Sequence, residues 1–129
     1  MKKLFAALLI TFLLAGCGAK DSGGYTSIDA ETAMEMMDGT EEVLILDVRE
    51  REEYDEGHIP NAILFPVGSI TKESAPQVIP DPDTTVLVYC RSGNRSKTAS
   101  QTLADLGYTS VYEFGGIRDW PYEIEVLSE

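Results

Sequence analysis

Histidine is nearly missing from this chain: its 129 residues hold one, together with one tryptophan and two cysteines. So small a stock of soft ligands leaves no cluster with metal-ligand spacing, and no metal centre is expected. No glycine-rich phosphate loop or dinucleotide fingerprint occurs, and Gly115-Gly116 alone is too weak to be one, so no cofactor is expected. Basic residues are also few, with 10 Lys and Arg against 22 Asp and Glu and a formal net charge of −12. That deficit argues against nucleic-acid binding and against electrostatic adhesion to anionic lipid. It also sets a repulsive field against anionic substrates. At physiological salt the field fades over about 8 Å, so a small basic cradle can prevail at short range. Internal repeats and low-complexity tracts are absent.

The ends are set apart from the body. Lys2 and Lys3 precede an apolar run from Leu4 to Leu14, and small residues follow, which reads as a secretory signal over residues 1–16. The run is too short for a comfortable bilayer span. Leu14-Ala15-Gly16-Cys17 resembles the lipobox of bacterial lipoproteins, which implies cleavage before Cys17, its lipidation with acyl chains such as palmitate, and an extracytoplasmic location on a bacterial membrane. An ordinary signal peptide with a chance cysteine is the bland alternative. Residues 17–24 read as a small, polar tether, and residues 25–129 as one domain. Losing Lys2 and Lys3 with the leader makes the body more acidic still.

Within the body, apolar periodicity marks the elements. Asp29 is placed to cap a helix with Ala30, Ala33, Met34 and Met37 on one face, stopping at Gly39. Val43 to Leu46 is a continuous apolar run, as expected of a strand buried on both faces, with Asp47 and Arg49 at its end. Glu50 to Glu56 is a charged helix or turn, and a turn from Gly57 to Ala62 leads to a short strand at Ile63 to Phe65. Val67 to Asp83 is rich in loop signals, with one helical turn. Thr85 to Tyr89 and Ser110 to Phe114 are further strands. Ser96 to Leu106 is an amphipathic helix stopped by Gly107, and a last helix is expected around Ile117 to Ile124, with Trp120 packing it on the sheet. Strands alternating with helices predict an α/β domain with a mostly parallel sheet and helices on both faces. Ligands then bind beyond the C-terminal strand ends, where Asp47 and Cys90 fall.

Cys90 opens Cys90-Arg91-Ser92-Gly93-Asn94-Arg95-Ser96, between the strand and the long helix. An ordinary thiol is only about 3% ionised at pH 7. A thiol at a strand end, facing a glycine-containing loop, two arginines and a helix N-terminus, suits a thiolate nucleophile, because backbone N–H groups and the helix dipole converge on the sulfur. If Cys17 carries lipid, Cys90 is a solitary thiol outside the cytoplasm, a liability unless it has a task. A buried, inert cysteine is the alternative.

Three patches then resemble the rhodanese family of thiosulfate sulfurtransferases: Asp47-Val48-Arg49-Glu50 with Glu53-Tyr54 and then Gly57-His58-Ile59-Pro60-Asn61-Ala62, the Cys90 to Ser96 loop, and Gly115-Gly116 followed by Trp120. The resemblance spans roughly Tyr25 to Glu125. It implies a rhodanese-like fold and a sulfur relay, in which Cys90 takes a sulfane sulfur from a small anionic donor such as thiosulfate as a persulfide. Cyanide, a thiol or a protein acceptor then removes it. The backbone of Arg91, Ser92, Gly93, Asn94, Arg95 and Ser96 would cradle the anion, with Arg91 and Arg95 supplying charge. Four residues separate Cys90 from Arg95, the sulfurtransferase spacing, where cysteine phosphatases have five. Asp47, Arg49 and His58 are supporting residues: Asp47 either faces the catalytic loop or pairs with Arg49, and His58 is expected to pin its turn rather than act as a base. A non-enzymatic persulfide carrier, sensor or partner-binding module is the rival reading.

Overall fold

Alternate side chains of the central strand point to opposite faces and seed two cores. In the computed structural model, which describes residues 24–127, this strand is Thr85–Cys90, the fourth of five. Val86, Val88 and Cys90 enter one buried cluster, while Leu87 and Tyr89 enter the other. The elements run β1 (Tyr25–Ser27), α1 (Ala30–Asp38), β2 (Val43–Asp47), α2 (Arg51–Glu56), β3 (Ile63–Leu64), α3 (Ala75–Val78), β4 (Thr85–Cys90), α4 (Asn94–Asp105) and β5 (Ser110–Gly116). The sheet order is β1-β5-β4-β2-β3, and every pairing is parallel. Ala99 and Leu103 of α4 close one face, and Ala33 of α1 closes the other. The expected α/β domain with helices on both faces is thus present. The leader, the tether and Cys17 lie outside the described residues.

Local chemistry explains the helix ends. Asp29 Oδ1 accepts the Thr32 N–H at 2.9 Å and caps α1, as anticipated. Glu53 Oε2 accepts the Glu50 N–H at 3.0 Å at the start of α2. Gly107, at φ +108, follows the last turn of α4 and stops it.

Three features depart from the sequence reading, the first being two helical turns, Val67–Ser69 and Ala75–Val78, where one was expected between Val67 and Asp83. Tyr25–Ser27 is a strand paired with Val111 to Glu113, too short to be read from periodicity. The expected helix over Ile117 to Ile124 does not form; a 3-10 turn at Ile117–Asp119 ends at Trp120, which is extended. Pro121 is the cause, since it disfavours helical backbone at Trp120 and has no N–H to donate. Trp120 accordingly packs beside Phe114, with ring centroids 5.4 Å apart, rather than seating a helix. Beyond it, Glu125 exchanges two backbone hydrogen bonds with His58, at 2.8 and 2.7 Å.

Candidate active site

Cys90 ends β4, and only 1% of it is exposed. The backbone turns back over its sulfur at once: Gly93 N–H donates to Sγ at 3.1 Å and Ser96 N–H at 3.2 Å. Gly93 has φ +114, a conformation that a residue with a Cβ rarely adopts, and it is the cap from which α4 starts. The sulfur therefore sits at the positive end of a twelve-residue helix. Burial pushes the Cys90 thiol up, but the Ser96 hydroxyl and the N–H groups of Ser96, Gly93 and Ser92 outweigh it and bring the thiol below its ordinary value.

The other wall of the loop is β5. After a register shift, Cys90 pairs with Gly116, and the Arg118 N–H donates to the Arg91 carbonyl at 3.2 Å. A Cβ at Gly116 would fall 1.9 Å from that same carbonyl oxygen, so only glycine fits. Glu113, 2% exposed, lies behind the loop and accepts the Ser96 hydroxyl at 2.9 Å. The sequence reading did not single it out. Its signal was present, because period-two alternation places Glu113 on the same face as buried Val111.

The arginines divide. Arg95, expected to hold the anion, turns its guanidinium onto Glu53 of α2 with two bonds, 2.8 and 3.0 Å. This pairing holds the Glu53 carboxyl down at about 2. Arg91 is exposed and lines a pocket of 210 Å³ with Arg49, Glu53, Glu56, Ile117 and Arg118. Arg118, unforeseen from sequence, thus joins Arg91 beside the loop. Ser92 and Asn94 are exposed on the loop surface, while Ser96 is buried under it. A larger cavity of 530 Å³ opens on the α1 side, among Met34, Met37, Ile59 and Trp120, but no residue of the Cys90 loop lines it.

Asp47, Arg49 and His58 hydrogen-bond to partners other than the sulfur. Asp47 is fully buried and takes the Arg49 guanidinium at 2.9 and 2.7 Å and the Tyr89 hydroxyl at 2.5 Å. Of its two expected roles, pairing with Arg49 is the one realised. Burial and the Asp47 carboxylate push the Tyr89 phenol well above its ordinary value, so it stays a donor. Arg49 also donates to the Gly57 carbonyl at 2.6 Å, tying β2 to the turn. His58 stacks on Tyr54 with ring centroids 3.8 Å apart, and its Nδ1 lies 2.9 Å from the Tyr54 carbonyl. Both contacts pin the turn.

A strand-end thiolate candidate, cradled by amides at a helix start and flanked by arginines, can accept an electrophilic atom from a small anion. Comparison with known proteins points the same way. The family model described as a rhodanese-like domain matches residues 29–122. Thiosulfate sulfurtransferase PspE of Escherichia coli is 39% identical over 74 residues, covering 57% of this chain and 70% of PspE. A sulfurtransferase of Allochromatium vinosum is 38% identical over 94 residues, 72% of this chain and 85% of that one. Among solved structures, a rhodanese with anions from E. coli superposes with a TM-score of 0.61 at 34% identity, covering 66% of this chain and 99% of its own.

Proposed function

This chain belongs to the family of rhodanese-like domains, with sulfurtransferases among its relatives, and from that premise we propose that it moves sulfane sulfur through a persulfide on Cys90. The Cys90 thiolate attacks the outer sulfur of thiosulfate; the S–S bond of the donor breaks, and its electron pair leaves with sulfite. The product is an anionic Cys90 persulfide. Cyanide or a thiolate then attacks the terminal sulfur, takes it, and returns Cys90 to the thiolate. No proton transfer is needed, which accords with a histidine held in a structural turn.

The observation that carries this reading is the pair of N–H groups, from Gly93 and Ser96, within 3.2 Å of one sulfur at a helix N-terminus. They stabilise the thiolate as nucleophile in the first step and as leaving group in the second. Arg91 and Arg118 supply local positive charge that draws the donor through the acidic field of the chain. Arg95 acts differently: held by Glu53, it fixes the start of α4 and contributes its charge to the sulfur from the side.

A thiosulfate–cyanide assay of the full chain and of Cys90→Ser tests the proposal. Turnover that disappears in the variant, with a one-sulfur adduct on Cys90 by mass spectrometry, is expected. A folded wild type with no turnover and no adduct refutes it; an adduct without turnover reassigns the chain as a carrier. We further propose that acylated Cys17 tethers the domain to the outer side of a bacterial membrane. Cys17→Ala should then leave the membrane fraction while keeping its activity.

A further inference from the structure

Glu113 is a carboxylate where the strand pattern calls for an apolar side chain, and the sulfur relay as described does not use it. It is fully supplied with donors. Ser27 Oγ reaches Oε1 at 3.0 Å, while the Gly115 N–H and Ser96 Oγ reach Oε2 at 2.8 and 2.9 Å. Lys97 Nζ lies 3.9 Å from Oε1. The Ser96 hydroxyl has one hydrogen and several acceptors. Glu113 is at 2.9 Å, the Gly93 carbonyl at 3.0 Å, the Gly115 carbonyl at 3.3 Å and the Cys90 sulfur at 3.5 Å. A carboxylate at the shortest of these distances draws that hydrogen most strongly. The contacts of Ser96 also keep carboxylate and sulfur within about 6.4 Å of each other, close enough for two like charges to oppose ionisation.

We propose that Glu113 is a positioning residue for the sulfur chemistry, holding much of the Ser96 hydroxyl away from Cys90 and so keeping the thiolate nucleophilic. The inference rests on the reading of Cys90 as the reacting sulfur. Its physical basis is that a thiolate loses nucleophilicity as it is stabilised, with a Brønsted slope of about 0.4–0.5. Amide N–H groups already serve the sulfur, and a full share of the hydroxyl would stabilise it further at the expense of the nucleophilicity of each thiolate. The charged groups around the loop are Arg95 and Lys97 from α4, Arg91 in the loop, Arg118 after β5, Arg49 after β2, Glu50 and Glu53 at the start of α2 behind Arg95, and Glu56 at its end. Asp47, Arg49 and Tyr89 close on one another at the end of β2. Of all these, Glu113 alone shares a hydrogen-bonding hydroxyl with the sulfur.

The test is the pH dependence of iodoacetamide alkylation at Cys90, followed by peptide mass spectrometry in the full chain and in Glu113→Gln. A neutral amide is a weaker acceptor and carries no charge, so both effects act together. The midpoint of the profile should fall by about 1 unit. The limiting rate at high pH should fall about threefold. Ser96→Ala should raise the midpoint more in the Glu113→Gln background than in the wild type, because more of the hydroxyl then serves the sulfur. Should Glu113→Gln not fold, Glu113→Asp, whose carboxylate stops one methylene short of Ser96, should shift the profile the same way by less. An unchanged or raised midpoint in a folded variant, or additive effects of the two substitutions, overturns the inference. A wild-type Cys90 that reacts at no pH overturns the nucleophile reading itself.

Discussion

Gly116→Ala is the substitution for which the structure sets the largest chemical consequence against the smallest change in mass. The added methyl would lie 1.9 Å from the Arg91 carbonyl oxygen, 2.3 Å from its carbon and 2.6 Å from the Ser92 nitrogen. All three are backbone atoms, so no rotamer change relieves the overlap. Restoring even a 3.0 Å separation requires the loop to retreat from β5 by about 1.1 Å. A retreat of that size stretches or misaligns the N–H···S contacts at 3.1 and 3.2 Å. A hydrogen bond to a charged group contributes about 1.5–3 kcal/mol. Losing the equivalent of one raises the Cys90 pKa by about 1–2 units at 1.36 kcal/mol per unit. Alkylation of Cys90 near pH 7 should therefore slow about three- to tenfold, the lost thiolate fraction outweighing the greater nucleophilicity of what remains, with a parallel loss of sulfur transfer. Global stability should fall by only about 1–3 kcal/mol, the usual cost of overpacking. Gly68→Ala, whose new methyl meets nothing within 4 Å, is the control. A folded Gly116→Ala with the wild-type pH profile and turnover would refute the assignment of loop geometry as the source of thiol activation.

Two further predictions concern the ion pairs. Glu53→Gln should cost about 1–2 kcal/mol at pH 7 by urea denaturation, a figure discounted for partial exposure of the pair. Because the folded Glu53 carboxyl is depressed from 4.5 to about 2, that contribution is present above the unfolded value and is lost as pH falls from 4.5 through about 2. The stability curves of wild type and variant should converge across that window; a constant gap would contradict the pairing. Asp47→Asn leaves buried Arg49 without its counter-ion and should destabilise the domain by about 3–5 kcal/mol in the same assay. Its native fraction should keep the wild-type rate of Cys90 alkylation, and a selective loss of that rate would place Asp47 in the reactive site instead.

Much of this architecture is legible locally. Val43 to Leu46 and Thr85 to Tyr89 are uninterrupted apolar runs, and strands covered on both faces leave no other pattern. Asp29 and Gly107 announce helix ends through chemistry within a few residues. The Cys90 loop is legible for the same reason, since thiol, glycine and helix start are contiguous. Pro121 was equally visible, and giving it its local meaning removes the helix that alternation alone suggests over residues 117–124.

By itself the chain order determined which sulfur is at the strand end and that a helix begins just beyond it, because backbone geometry over that span depends on near neighbours. Only the tertiary structure decided the partners of the charges. Arg95 meets Glu53 across 42 residues, Ser96 meets Glu113 across 17, and Asp47 takes the hydroxyl of Tyr89 across 42. An arginine or a glutamate looks the same in sequence whether it faces substrate, another side chain or water. Its role follows from which elements the parallel sheet brings side by side, and that is set by the burial of both faces of the sheet rather than by any residue near the charge.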